Sequence, residues 1–156
     1  FIGEVPMRDF LKNKIKVKGG NIIDEHQNIL GQHDGLAYYT IGQRNLGLNS
    51  KDGKPVFVIA KNLQTNELIV GNEFNQLLHK IEITVGDVNW TASVIPKLPL
   101  KSKIRLRHRQ ELQPAKFFLD KKELKIKFDQ PQRAVTPGQF AVFYKNGLCL
   151  GGGVIL

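Results

Sequence analysis

The stretch KSKIRLRHRQ at 101–110 carries the densest cationic pattern in the chain. Read as a strand with a side-chain period of two, it puts Lys103, Arg105, Arg107 and Arg109 on one face and Ile104, Leu106 and His108 on the other. One face then packs and the other is a charged stripe. Like charges repel along such a stripe, and an anionic partner offsets the repulsion. Same-face residues fall about 6.5 to 7 Å apart, a spacing that suits a phosphate backbone. Lys116, Lys121, Lys122, Lys125 and Lys127 add to the same sign, against only Glu111, Asp120 and Glu123 nearby. The competing reading is a solvated outer face with salt bridges to its neighbours, in a module that is structural or docks another protein.

Other chemistry-bearing types point to packing. His26, His33, His79 and His108 show none of the spacings that build metal sites, and Cys149 is remote from them in sequence, so no metal site is expected. Cys149 lies between Leu148 and Leu150, which predicts a core thiol. After the three glycines at 151–153 no P-loop lysine follows and no helix opens. Close approach of backbone near a barrel end explains them better than phosphate cradling. With no nucleotide loop, no Ser/His/Asp arrangement and no placed carboxylate pair, these residues are expected to do no catalysis by themselves.

Composition bounds the class. Hydrophobic residues make up 41% and charged residues 24%, ordinary for a folded globular chain. Lys plus Arg number 23 against 14 Asp plus Glu, a formal charge of +9 whose field favours polyanions. One cysteine excludes an internal disulfide and agrees with a reducing compartment, so the expected location is cytoplasmic. No window approaches the roughly 20 apolar residues of a membrane-spanning helix. The first residue is Phe1, without an initiator Met, which reads as a piece of something longer.

The elements that must position these residues are mostly strands. Met7, Phe10, Leu11 and Ile15 recur at helical spacing and predict a short leading helix over 6–15 with one buried face. Strands are expected over 21–23 and 28–31 around a turn at 24–27, an extended segment over 36–41, and strands over 56–60 and 68–70 around a turn at 62–66. The Gly-, Asn- and Lys-rich stretch 47–55 reads as an exposed loop. Loss of alternation between 72 and 80 places a domain boundary near Leu78, giving units 1–78 and 79–156. The second unit reads as strands over 81–85, 102–109, 115–119, 124–128, 139–144 and 148–150. Asn146-Gly147 suits a type I′ hairpin and Pro137-Gly138 a type II turn. Six short antiparallel strands in so few residues are expected to close into a barrel.

Several strings are more specific than any pattern: FIGE at 1–4, GQHDGLAYYTIGQR at 31–44, RHRQ at 107–110, PQRAVTPGQ at 131–139, AVFY at 141–144 and GLCLGGG at 147–153. Together, in order and across nearly the whole chain, they resemble the bacterial tRNA-specific 2-thiouridylase family. That resemblance implies a mainly β chain: a small central β domain with a leading helix, then a six-stranded antiparallel barrel similar to a translation-factor barrel domain. It implies a parent enzyme that adenylates the wobble uridine with ATP and Mg in a separate N-terminal domain, then delivers sulfur from a cysteine persulfide. No cofactor would bind these two domains, and the nearest catalytic cysteine would directly precede Phe1. It also implies contacts to the anticodon arm of tRNA at Arg107, His108 and Gln139, beside the Arg105 and Arg109 of the stripe. A sulfur-donor protein is the implied partner of the parent, which is expected to be monomeric and away from membranes.

Overall fold

The computed structural model describes residues 10–11, 14–44, 46–48, 53–91 and 95–156, and these form two compact units that divide between Leu78 and His79. The chain is mainly β.

The first unit is a four-stranded sheet. Strands β1 (Gly20–Ile23), β2 (Ile29–His33), β3 (Phe57–Asn62) and β4 (Glu67–Gly71) lie in the order β2-β1-β4-β3. All neighbours are antiparallel except β1 and β4, which run parallel with Ile22 opposite Leu68. The β1–β2 turn is closed by Asp24, whose carboxylate accepts the His26 and Asn28 amides at 2.9 and 2.8 Å and the Asn28 side chain at 2.8 Å. The Asn28 side-chain bond foremost holds this carboxyl below its ordinary value. One face buries Ile22, Val58, Leu68 and Val70 against Leu36 and Tyr39.

Two expectations for this unit need revision. The segment over 36–41 is not extended: Leu36–Tyr38 is a 3₁₀ turn. Gly35, at φ 149, redirects the chain so that Leu36 and Tyr39, three residues apart, both reach the core. Of the leading helix, Phe10 and Leu11 are helical and the Ile15 amide bonds the Leu11 carbonyl at 2.9 Å. Residues 6–9 and 12–13 of that helix, and 49–52 of the predicted loop, lie outside the described residues. Phe10 and Ile15 are exposed, so the helical spacing does not correspond to a buried face there.

The second unit is a closed antiparallel barrel of β5 (His79–Trp90), β6 (Leu100–Arg105), β7 (Gln113–Asp120), β8 (Glu123–Arg133), β9 (Phe140–Lys145) and β10 (Leu148–Ile155), in the circular order β10-β5-β8-β7-β6-β9. Alternation places Ile104, Phe117, Ile126, Phe128, Ala141 and Phe143 inside. Asn146 and Gly147 both have positive φ, 50° and 80°, as a type I′ turn requires. Gly138 at φ 84, with the Gln139 amide on the Thr136 carbonyl at 3.3 Å, completes the Pro137-Gly138 turn. Among the described residues no helix is long and apolar enough to cross a membrane.

Cys149 is a correction: it is exposed, not core. β10 begins directly after the 146–147 turn, and a register shift between Cys149 and Gly151 turns the start of the strand outward before Gly151 and Gly153 enter the core. The glycines close the barrel by backbone contact. A Cβ on Gly151, Gly152 or Gly153 would meet the carbonyl oxygens of Asn89, Ala141 and Gly86 at 2.2, 2.7 and 2.6 Å.

Candidate nucleic-acid interface

The cationic stretch is half strand and half turn. β6 ends at Arg105, and the chain then reverses through a turn in which Arg109 has φ 62 and the Gln110 amide bonds the Arg107 carbonyl at 3.2 Å. Period two therefore governs Lys101, Lys103 and Arg105 but stops there. The single-face stripe through Arg107 and Arg109 does not exist, and His108, for which parity predicts an inward or edge position, is exposed on the turn that follows the strand.

What ends the strand is a set of polar bonds. The Gln110 carboxamide accepts the Leu106 amide at 2.9 Å, and Arg105 Nε donates to the Gln110 carbonyl at 2.7 Å. Behind them Gln132, 6% exposed, accepts from Gln110 at 3.3 Å and donates to Gln113 at 3.3 Å and to the Gln130 carbonyl at 2.9 Å. Arg107 Nη2 donates to the Arg133 carbonyl at 3.2 Å and to the Ala134 carbonyl, tying the turn to the β8–β9 connection. Sequence reading missed Gln110, Gln113 and Gln132. All three fall outside the predicted strands, so alternation gives no signal for them. Gln110→Ala is expected to leave the buried Leu106 amide unpaired, costing about 1–3 kcal/mol. Thermal unfolding followed by Trp90 fluorescence measures it, and an unchanged midpoint would mean that Arg105 and Arg107 hold the turn without this side chain.

The result is one open groove of about 620 Å³ whose lining includes Arg105, Arg107, His108, Gln139, Phe140 and Tyr144. Four of the five predicted contact residues come together there; Arg109 is not among the lining residues. Arg105 lies over the Tyr144 ring at 5.5 Å, and Phe140 is 67% exposed. These aromatics were also missed. On β9 the even positions face outward while Ala141 and Phe143 face in, so Phe140, Val142 and Tyr144 share the outer face with Lys103, which lies opposite Tyr144, and with Arg105, which lies opposite Val142. Cations interleaved with exposed rings can hold phosphates and stack unpaired bases in one place.

A nucleotide phosphate does not fit the three glycines at 151–153, because the space a loop would open to a ligand is filled by the carbonyls of neighbouring strands. Among the described residues no three His, Cys, Asp or Glu side chains gather as a metal site would need.

Comparison with known proteins agrees with this division of the chain. Residues 8–72 match the model of the tRNA methyl transferase PRC-barrel domain, and residues 80–155 that of the Aminomethyltransferase beta-barrel domain. Two β modules matching these models, one after the other, define the class. The chain is 41% identical over 168 residues to the tRNA-specific 2-thiouridylase MnmA of Psychrobacter sp. (strain PRwf-1), covering 99% of this chain and 42% of that protein. For the enzymes of the same name from Francisella philomiragia and Enterococcus faecalis the identities are 40% and 41%, over 100% and 99% of this chain and 45% and 43% of theirs. The chain belongs to the tRNA-specific 2-thiouridylase family, matching its central and C-terminal domains. It spans less than half the length of these relatives.

Proposed function

We propose that the chain is the tRNA-docking part of an enzyme that 2-thiolates the wobble uridine, and that the barrel groove takes the anticodon arm. The observation that carries this is the convergence of Arg105, Arg107, His108 and Gln139 with the exposed Phe140 and with Tyr144 in a single open groove of a chain with net charge +9. The activity for which the relatives are named, tRNA-specific 2-thiolation, supports it. In this reading ATP-dependent adenylation and persulfide sulfur transfer belong to other parts of the parent, as does the encounter with a sulfur-donor protein. The residues here bind and orient the RNA.

Filter binding of tRNA at several salt concentrations tests the groove. Arg107→Ala is expected to flatten the salt slope by about one unit, the signature of one lost phosphate contact. Phe140→Ala is expected to weaken binding by about 1–3 kcal/mol through lost base stacking while leaving the slope unchanged. Trp90 fluorescence checks that both variants keep the barrel. Unchanged affinity and slope in both would overturn the proposal in favour of a protein-docking or structural module.

A further inference from the structure

Outside the groove, the barrel carries a second cationic feature that runs across strands. Lys101 on β6 lies directly opposite Lys116 on β7, and Lys116 directly opposite Lys127 on β8. Each is exposed and flanked on its own strand by buried residues, among them Leu100, Ala115, Phe117, Ile126 and Phe128, so all three point outward. Adjacent strands are about 4.8 Å apart, which gathers the three within about 10 Å.

Like charges directly opposite in a sheet are destabilising. Nearby acids do not remove the conflict: Glu82 is opposite Lys127 on β5, yet none of the described residues forms an ion pair with Lys101, Lys116 or Lys127. Lysines often guard open sheet edges against aggregation, but β6, β7 and β8 are each paired on both sides in a closed barrel. Edge protection therefore does not explain the row, and an anion does.

The row is also continuous with the groove. Lys101, Lys103 and Arg105 share the outer face of β6 at about 6.5–7 Å intervals, so a cationic path runs from the groove along β6 and turns across β7 and β8. The geometry points to a second phosphate-binding surface at Lys101, Lys116 and Lys127, which takes a further stretch of the backbone of the same RNA that enters the groove. This rests on the groove being an RNA site. Its distinct content is that the footprint extends onto the lateral wall of the barrel.

The test is tRNA filter binding against salt with the triple variant K101Q/K116Q/K127Q, a K101R/K116R/K127R control, and Arg107→Ala alongside. The glutamine variant is expected to flatten the salt slope by about two to three units and weaken binding tens- to hundreds-fold near 0.1 M salt. The arginine control should keep the slope. Without RNA, the glutamine variant should melt no lower than the parent, since it relieves repulsion. An unchanged slope in the glutamine variant while Arg107→Ala weakens binding would overturn the lateral surface and leave the groove standing. Equal loss in the arginine control would overturn it too, by showing that charge is not what matters. No salt-dependent tRNA binding by the unmodified protein would remove both readings.

Discussion

Replacing Gly151 by alanine is expected to unfold the barrel at moderate temperature. The added methyl would sit 2.2 Å from the Asn89 carbonyl oxygen and 2.9 Å from the Trp90 Cα, both backbone atoms of the paired strand, at a φ of 142° that side chains rarely adopt. No flexible side chain can swing aside, so β10 must separate from β5 where Gly151 pairs with Trp90. Backbone strain and lost pairing together amount to about 3–5 kcal/mol, the upper range for one substitution. A unit of this size has only about 4–12 kcal/mol to lose. Gly147→Ala separates the two causes. Gly147 has φ 80 with nothing within 4 Å of an added Cβ, so it carries the conformational cost without the collision and should lose only about 1 kcal/mol. The chain's one tryptophan is Trp90, inside this unit, so fluorescence during urea unfolding reports on the barrel. Similar midpoints for the two variants would refute the close-approach account of the glycine run.

Phe143→Ala should be nearly as damaging, for a different reason. The ring is fully buried, 5.0 Å from Phe117 with planes 69° apart and 5.5 Å from Trp90. Its loss leaves a cavity that six hydrogen-bonded strands cannot collapse around, at a cost of about 3–5 kcal/mol. At roughly 4–8 °C per kcal/mol for a domain of this size, the melting midpoint should fall by tens of degrees. Phe140, three residues earlier on the same strand, is the internal comparison. It is 67% exposed, so its alanine variant should stay within about 0.5 kcal/mol of the parent while losing RNA affinity. The two variants are thus expected to separate stability from binding. If Phe143→Ala melted with the parent, the assignment of barrel interior and exterior on β9 would be wrong.

The predicted strands of the barrel were legible because alternation is local. Ala115, Phe117, Ile126, Phe128, Ala141 and Phe143 announce an inner face by spacing alone, and Asn146-Gly147 and Pro137-Gly138 announce turns because few other residues than Asn146, Gly147 and Gly138 tolerate positive φ, and Pro137 has its φ fixed for the turn. The ordered strings from 31–44 to 147–153 identified the family for a similar reason: they are runs of residue types, readable without coordinates. Even the three terminal glycines were read correctly as close backbone packing, since no helix follows them.

Long-range partners were not legible. The stripe through Arg107 and Arg109 failed because the end of β6 is decided by Gln110 and Gln113, which meet Gln132 from a remote segment of the chain. Periodicity cannot register such a meeting, and with it the inward alternative for His108 is excluded. Cys149 moved outward because a register shift against β9 interrupts alternation at the start of β10. The groove itself joins the end of β6 and the turn after it, 105–108, to the Pro137-Gly138 turn and β9, and the lysine row joins three strands. Residue types along the chain determined that there would be a basic β-barrel of this family. Which charges and rings lie on the same face was decided only by barrel closure and cross-strand register, because those bring together atoms that the chain holds far apart.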